Sequence, residues 1–257
     1  MSTSLFHETI FGPIKSRRLG ISLGINLLPV ESKLCNYNCL YCECGWNSEA
    51  GIKAVLPKAS EVILLLRQKL QQLKNDGIRP DVMTFAGNGE PSLHPAFLDI
   101  VKDVRELRDE YFPQCRIAVL SNATRAGKDD IFEALQLVDD PILKFDAGTE
   151  KLYQLINQPV KGITIQKIIQ NLKRFEGNFI MQSLFLRGQI GEIHFDNSAD
   201  DQFNPWLEVV KELRPRKVML YSLDRATPHP DLIKINKAEL QFLAEKVNQF
   251  KIQTEVA

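Results

Sequence analysis

Cys35, Cys39 and Cys42 fall within one short run, Cys35-Asn36-Tyr37-Asn38-Cys39-Leu40-Tyr41-Cys42. Cysteine thiolates are the usual ligands of iron–sulfur clusters, and a fully protein-bound cubane takes four of them. Three thiolates on one short loop can reach three corners and leave the fourth iron without a protein ligand. An open coordination site turns an electron carrier into a catalyst, because another molecule can bind there. Other readings stay open on the cysteines alone. Cys44 can serve as a fourth sulfur for a structural zinc ion, or as a fourth ligand that makes the cluster a plain electron carrier. A metal-free group of buried cysteines is also possible. Cys115 stands apart. Crowding of cysteines in so short a window favours metal or redox chemistry over a disulfide framework.

Further polar marks follow apolar runs. Gly87-Asn88-Gly89-Glu90-Pro91 comes directly after the run Val82 to Ala86. Glycines in that place let backbone approach a ligand closely, and exposed carbonyls accept hydrogen bonds from a cationic ammonium. An ordinary glycine turn is the plainer reading. Ser121-Asn122 ends the next apolar run, with an Asx or Ser cap as its alternative role. Lys144 and Asp146 flank the end of another, and a lone Asp there also serves as a helix cap. Gln182, Ser183 and Arg187 lie on the next, where Arg187 suits a carboxylate partner. Tyr41 is either a ring near a bound ligand or core packing. The scattered histidines, His7, His94, His194 and His229, form no constellation, so no catalytic acid or base is assigned.

The elements that must position these residues alternate in kind. Strands are expected at Ile21 to Leu28, Val82 to Ala86, Arg116 to Leu120, Ile142 to Phe145, Phe179 to Leu186 and Lys217 to Tyr221. Helices are expected from Ser60 to Asn75, Pro95 to Arg108, Asp129 to Leu137, Thr164 to Phe175, Asn204 to Leu213 and Lys237 to Asn248. Ser60 and Thr164 are the expected caps, and Asp76-Gly77 the expected stop of the first helix. Lys251 to Val256 reads as a closing strand. The stretch from Gln189 to Phe203 is the least regular and is expected to be a substrate-side loop. Six β-then-α units in order give an α/β fold, a partial (βα)6 TIM-type barrel with parallel strands. Its ligand site belongs at the C-terminal edges of the strands, where the polar marks gather.

The 257 residues suit a single domain, residues 1–20 being an N-terminal extension and 21–257 the barrel. Lys plus Arg and Asp plus Glu are 32 each, so a neutral balance gives no support for broad nucleic-acid or membrane adhesion. No run has the length of a membrane span. The N-terminus lacks the basic start and apolar core of a secretory signal, so a cytoplasmic protein is expected.

The spacing of the three cysteines, the aromatic Tyr41 before the third, and Asn88-Gly89-Glu90 after a second strand resemble the radical S-adenosylmethionine (radical SAM) superfamily. Phe11-Gly12-Pro13-Ile14-Lys15-Ser16-Arg17-Arg18-Leu19-Gly20 and the following Ser22-Leu23-Gly24-Ile25-Asn26 look like its iron–sulfur oxidoreductase group related to the wyosine-tRNA base-forming enzymes. The chain departs from those enzymes in having no cysteine before Cys35, so the resemblance does not imply the wyosine reaction. It implies a [4Fe–4S] cluster on Cys35, Cys39 and Cys42, with S-adenosyl-L-methionine on the fourth iron. Reductive cleavage then yields a 5′-deoxyadenosyl radical that abstracts hydrogen from a substrate, here unidentified.

The implied cofactor contacts are Asn88, Gly89 and Glu90 for the methionyl amino group and Ser121 and Asn122 for its carboxylate or ribose. Tyr41 would lie near the adenine, with Asp146 and Arg187 as further contacts. The first glycine of the family's Gly-Gly-Glu stretch is Asn88 here. A reductant such as flavodoxin or ferredoxin is the implied partner. Arg17 and Arg18 are either residues near the site or structural ion-pair partners. Alternatives to a metabolic enzyme are an activase placing a radical on a partner protein, a non-enzymatic electron carrier, and a zinc-binding interaction module.

Overall fold

The computed structural model describes residues 4–16, 18–47 and 55–257. Arg17 lies outside the described residues. The chain opens with an antiparallel hairpin of β1 (Ile10–Ser16) and β2 (Gly20–Ile25). The sequence suggested only the second of these strands, because Gly12-Pro13 interrupts the alternation of β1. The register shift between Phe11 and Ile14 absorbs that interruption and lets the pairing continue.

After the cysteine loop come α1 (Ala59–Asn75), β3 (Val82–Phe85), a 3-10 turn at Pro91–Leu93, α2 (Phe97–Tyr111), β4 (Arg116–Ser121), α3 (Asp129–Gln136) and β5 (Asp140–Lys144). Next are α4 (Glu150–Asn157), α5 (Ile165–Lys173), β6 (Ile180–Leu184), β7 (Leu186–Ile190), β8 (Ile193–Asp196) and α6 (Asp200–Leu213). The chain closes with β9 (Lys217–Tyr221), β10 (Leu232–Lys234), α7 (Lys237–Asn248) and β11 (Gln253–Val256). Ser60, expected to cap α1, sits inside its first turn, and Lys58 holds the N-cap position. Thr164 does cap α5, accepting from the Lys167 amide.

The main sheet runs β1-β2-β3-β4-β5-β6-β9-β11. From β2 to β11 every pairing is parallel. The expected six βα units are present, and β11 joins them as the closing strand. The sheet is not closed: β1 and β11 are its two edges.

Side chains alternate across each strand, so one strand feeds two cores. Leu23, Ile25, Met83, Phe85, Ile117, Val119 and Leu220 join the large core with Val62, Leu66 and Leu70 of α1 and Ile100, Val104 and Leu107 of α2. On the opposite face Val82, Ala118, Ile142, Ile180 and Met219 form a small inner plug, joined by Leu19 and Leu120. This two-layer packing, helices outside and a side-chain plug inside, makes the sheet curve into a partial barrel.

Two features escape local pattern. α4 has only eight residues, too short for periodicity to stand out, but Thr149 caps it and Leu152, Tyr153 and Ile156 are buried. The stretch expected to be an irregular loop contains β7 and β8, which pair with each other and with β10 as a second sheet, β10-β7-β8. That strand pairing depends on a segment about forty residues downstream. Among the described residues no helix is long and apolar enough to cross a membrane.

Candidate functional site

The cysteine loop leaves the C-terminal end of β2 and is held between two neighbours. On one side the Leu34 amide donates to the Asn88 carbonyl at 2.8 Å, and the Glu90 amide donates to the Leu34 carbonyl at 3.1 Å. This bridge needs Gly89. Its φ is +138°, and a Cβ there would lie 1.9 Å from the Leu34 carbonyl oxygen. On the other side the loop docks on the C-terminus of α4: the Asn38 amide donates to the Asn157 carbonyl at 3.1 Å and the Leu40 amide to the Ile156 carbonyl at 3.0 Å. Asn47 ties the loop internally, accepting from the Cys35 amide at 3.1 Å and donating to the Tyr37 carbonyl at 3.0 Å.

Cys39 is buried, and Cys35 and Cys42 are half-buried. Each of the first two sulfurs meets a side-chain amide from a distant element. Asn122 Nδ2 lies 3.7 Å from Cys35 Sγ, and Asn157 Nδ2 lies 3.6 Å from Cys39 Sγ. The Tyr37 amide adds a second donor to Cys35 at 3.4 Å. Burial pushes the Cys35 and Cys39 thiols up from the ordinary range, and the Glu90 charge adds to the effect at Cys35. The Cys44 thiol hydrogen-bonds Cys42 and holds its pKa well below the ordinary value, against burial and with help from Lys33. Cys44 Sγ also lies 3.4 Å from the Gly87 carbonyl. Cys115 is buried next to the N-terminal end of β4, and burial pushes its pKa up to about 12.

The donor set suits an iron–sulfur cluster. Amide donors aimed at thiolate sulfurs are the protein's means of offsetting their charge and tuning a cluster. Among the described residues no group of three or more His, Cys, Asp or Glu side chains is arranged to hold a single metal ion. A structural zinc requires its ligands on one centre, whereas a cubane places each thiolate on a different iron.

Glu90, Ser121 and Asn122 come together at the ends of β3 and β4. The buried Glu90 carboxylate accepts from Ser92 N at 3.1 Å, Ser92 Oγ at 2.5 Å, Ser121 Oγ at 2.8 Å and Asn122 N at 2.7 Å. Burial raises its pKa, with these donors pulling the other way. Glu90 is thus a brace that fixes Asn122, and Asn122 in turn reaches Cys35 and accepts from Thr124. The Asn88 side chain is fully buried and bonded to the Phe6 and Pro29 backbone. It ties the N-terminal segment to the strand end, while the Asn88 carbonyl holds the cysteine loop.

Tyr41, Lys144, Asp146 and Asn157 form a second group beside Cys39. The Tyr41 hydroxyl donates to Asp146 Oδ2, which also accepts from Asn157 at 3.0 Å. Asp146 Oδ1 accepts from the Leu184 amide at 2.9 Å. Lys144 Nζ stands 3.4 Å from Asp146, 3.3 Å from the Tyr41 hydroxyl and 3.3 Å from the Tyr221 hydroxyl. Burial works to lower the pKa of Lys144, but Asp146 and Tyr221 outweigh it and hold the ammonium protonated above the ordinary lysine value.

Asn157 and Tyr221 carry no sequence signal for this position. Asn157 ends a helix the sequence did not disclose, and Tyr221 ends a strand like many aromatics. Arg187 goes elsewhere. It sits on β7 with its guanidinium bonded to Asp196 at 2.9 Å and Glu239 at 2.7 Å. There it lines a groove of about 880 Å³ between α4 and the β10-β7-β8 sheet, whose described lining includes none of the cysteines.

The sequence matches the family model of the Radical SAM superfamily over residues 32–186, which run from the cysteine loop to the start of β7. A Brachyspira hyodysenteriae protein named GTPase Obg is 30% identical over 241 residues, 91% of this chain and 32% of that protein. The UPF0026 protein MJ1312 of Methanocaldococcus jannaschii is 30% identical over 231 residues, 90% of this chain and 68% of that protein. The chain therefore spans about a third of the length of the first relative and about two thirds of the second. A radical SAM methyltransferase from Sphaerobacter thermophilus shares the fold, with a TM-score of 0.64 at 14% identity, covering 92% of this chain and 65% of that one.

Proposed function

The chain belongs to the Radical SAM superfamily, and from that premise we propose that Cys35, Cys39 and Cys42 hold a [4Fe–4S] cluster whose remaining iron binds S-adenosyl-L-methionine. The family works with this cluster and this cofactor. Bound there, the reduced cluster would supply one electron and S-adenosylmethionine a sulfonium whose bond to the 5′ carbon that electron would break, giving methionine and a 5′-deoxyadenosyl radical able to take a hydrogen atom from a substrate.

The chain's own residues bind, orient and exclude water. Asn122 and Asn157 donate to the Cys35 and Cys39 sulfurs and fix the loop. Gly87, Asn88 and Gly89 offer backbone at the strand end for a cationic amino group, with Glu90 bracing Ser121 and Asn122 beside it. Tyr41 and Asp146 form the wall next to Cys39. Arg187 is left out of the cofactor set because Asp196 and Glu239 already satisfy it. A small electron-transfer protein such as flavodoxin or ferredoxin is the proposed source of the electron.

The observation that carries this reading is the loop itself. Three cysteines lie at the mouth of a parallel barrel, and two of the sulfurs are met by amides from separate strand and helix ends. Anaerobic reconstitution with iron and sulfide, followed by dithionite and S-adenosylmethionine, is expected to yield 5′-deoxyadenosine by mass spectrometry. An intact cluster that gives none would refute the reading.

A further inference from the structure

A buried cation sits in the cysteine loop itself. Lys33 follows β2 and comes just before Cys35, and it is only 5% exposed. Its Nζ donates to the Gly45 carbonyl at 2.8 Å. That bond clasps the loop at both ends, and Cys35, Cys39 and Cys42 all lie between them. An ammonium has three donors and no acceptor. The single carbonyl therefore answers part of its hydrogen bonding and none of its charge.

A buried ammonium without a counter-charge is costly, and proteins keep one where an anion faces it. Among the described residues no carboxylate forms an ion pair with Lys33. Glu43, the carboxylate of the same loop, is engaged with Arg225 at 3.0 Å. The groups that feel the Lys33 charge are sulfurs. It favours the thiolate form at Cys35, Cys42 and Cys44, although burial is the larger influence at Cys35 and the hydrogen bond between Cys42 and Cys44 at the other two. Glu90 acts on Cys35, and Glu43 on Cys44, with the opposite sign. Lys144 does for Cys39 what Lys33 does for Cys35, again against the larger effect of burial. Lys144, however, has Asp146 at 3.4 Å as its own counter-charge.

Three thiolates around an oxidised cubane leave the assembly negative, and taking up one electron makes it more so. A fixed cation nearby favours the more negative state, and burial keeps salt from screening it. We propose that Lys33 is the counter-charge of the cluster and a positioning residue for electron entry, its ammonium raising the reduction potential so that a milder reductant can deliver the electron. The inference rests on the cluster assigned above; it needs neither S-adenosylmethionine nor the radical.

The test uses the full chain, reconstituted anaerobically with iron and sulfide, as wild type, Lys33→Gln, Lys33→Met and Lys33→Arg. Thermal melting of each cluster-free protein checks its fold, and iron content checks its loading. Redox titration without S-adenosylmethionine then reads the midpoint potential. Lys33→Gln keeps a donor for the Gly45 carbonyl but loses the charge, and Lys33→Met carries the comparison should that variant fail to fold. Either neutral variant is expected to be about tenfold harder to reduce at a fixed potential, a fall of about 59 mV for a one-electron couple. Lys33→Arg keeps the charge and is expected to stay close to wild type, which a role in shape alone does not predict. Should both neutral variants hold no cluster, Lys33→Arg decides: its loading ties retention to the charge, and its failure to load overturns the proposal. Equal midpoints in wild type and the neutral variants also overturn it. A wild type that takes up no iron refutes the cluster, and this inference with it. Shifted midpoints in a protein that yields no 5′-deoxyadenosine would remove the radical chemistry and leave the role of Lys33 standing.

Discussion

The side-chain amide of Asn157 lies 3.6 Å from the Cys39 sulfur, although 118 residues separate the two in the chain. The same Nδ2 is 2.9 Å from the Tyr41 hydroxyl and 3.0 Å from Asp146, so one buried amide links the cysteine loop to the ends of α4 and β5. Replacing Asn157 with Leu removes these donors and leaves buried acceptors unpaired. The expected cost is about 1–3 kcal/mol of stability, read as a fall in melting temperature of the cluster-free protein. In reconstituted protein the loss of a donor to Cys39 is expected to move the cluster's reduction potential to more negative values, read by redox titration. An unchanged potential would show that this amide serves packing alone.

The cysteines differ in what their loss should do. Cys39→Ala removes the most buried of the three loop sulfurs and is expected to abolish iron and sulfide retention after anaerobic reconstitution. Cys44→Ala is expected to retain both, since the Cys44 thiol is engaged with Cys42 and the Gly87 carbonyl. Loss of the cluster in Cys44→Ala would make Cys44 a ligand and favour an electron carrier.

Glu90 gives a pH signature. Burial raises its folded-state pKa above the unfolded value of about 4.3. The folded protein therefore favours the protonated acid. The contribution is fully present below the unfolded pKa and is lost as pH rises through the folded one. Relative to Glu90→Gln, wild type is expected to lose stability over that interval and to run parallel above it. Denaturant melts of both proteins at a series of pH values read the difference; parallel behaviour throughout would mean that the four donors to Glu90 cancel its burial.

Gly89 has no room for a side chain. Gly89→Ala must relieve both a φ of +138° and a Cβ placed 1.9 Å from the Leu34 carbonyl oxygen. Backbone strain alone costs about 1–3 kcal/mol, and the displacement of Leu34 falls on the residue next to Cys35. Lower thermal stability together with reduced iron retention is expected. A variant that melts lower but loads normally would separate the bridge from the cluster site.

Much of the framework was legible without coordinates because it rests on local rules. The βα alternation follows from apolar periodicity, and the six units and the closing β11 came out as read. Where local signal was weak the reading fell short. β1 is broken by Gly12-Pro13, α4 is short, and the β7–β8 hairpin depends on pairing with β10. Asn157 was invisible for the same reason, since it ends an element that had no pattern of its own.

What the sequence by itself determined is the family, because the spacing of Cys35, Cys39 and Cys42 and the Asn88-Gly89-Glu90 stretch are local features that do not depend on where the loop lies in the fold. Only the tertiary structure decided which polar residues serve that loop. Glu90 became a brace rather than a free carboxylate, Arg187 was drawn away to Asp196 and Glu239, and Arg18 was laid on the Tyr221 ring. The physical reason is that a side chain's role is set by the partners that desolvate it and bond to it, and those partners lie tens to hundreds of residues away in the chain.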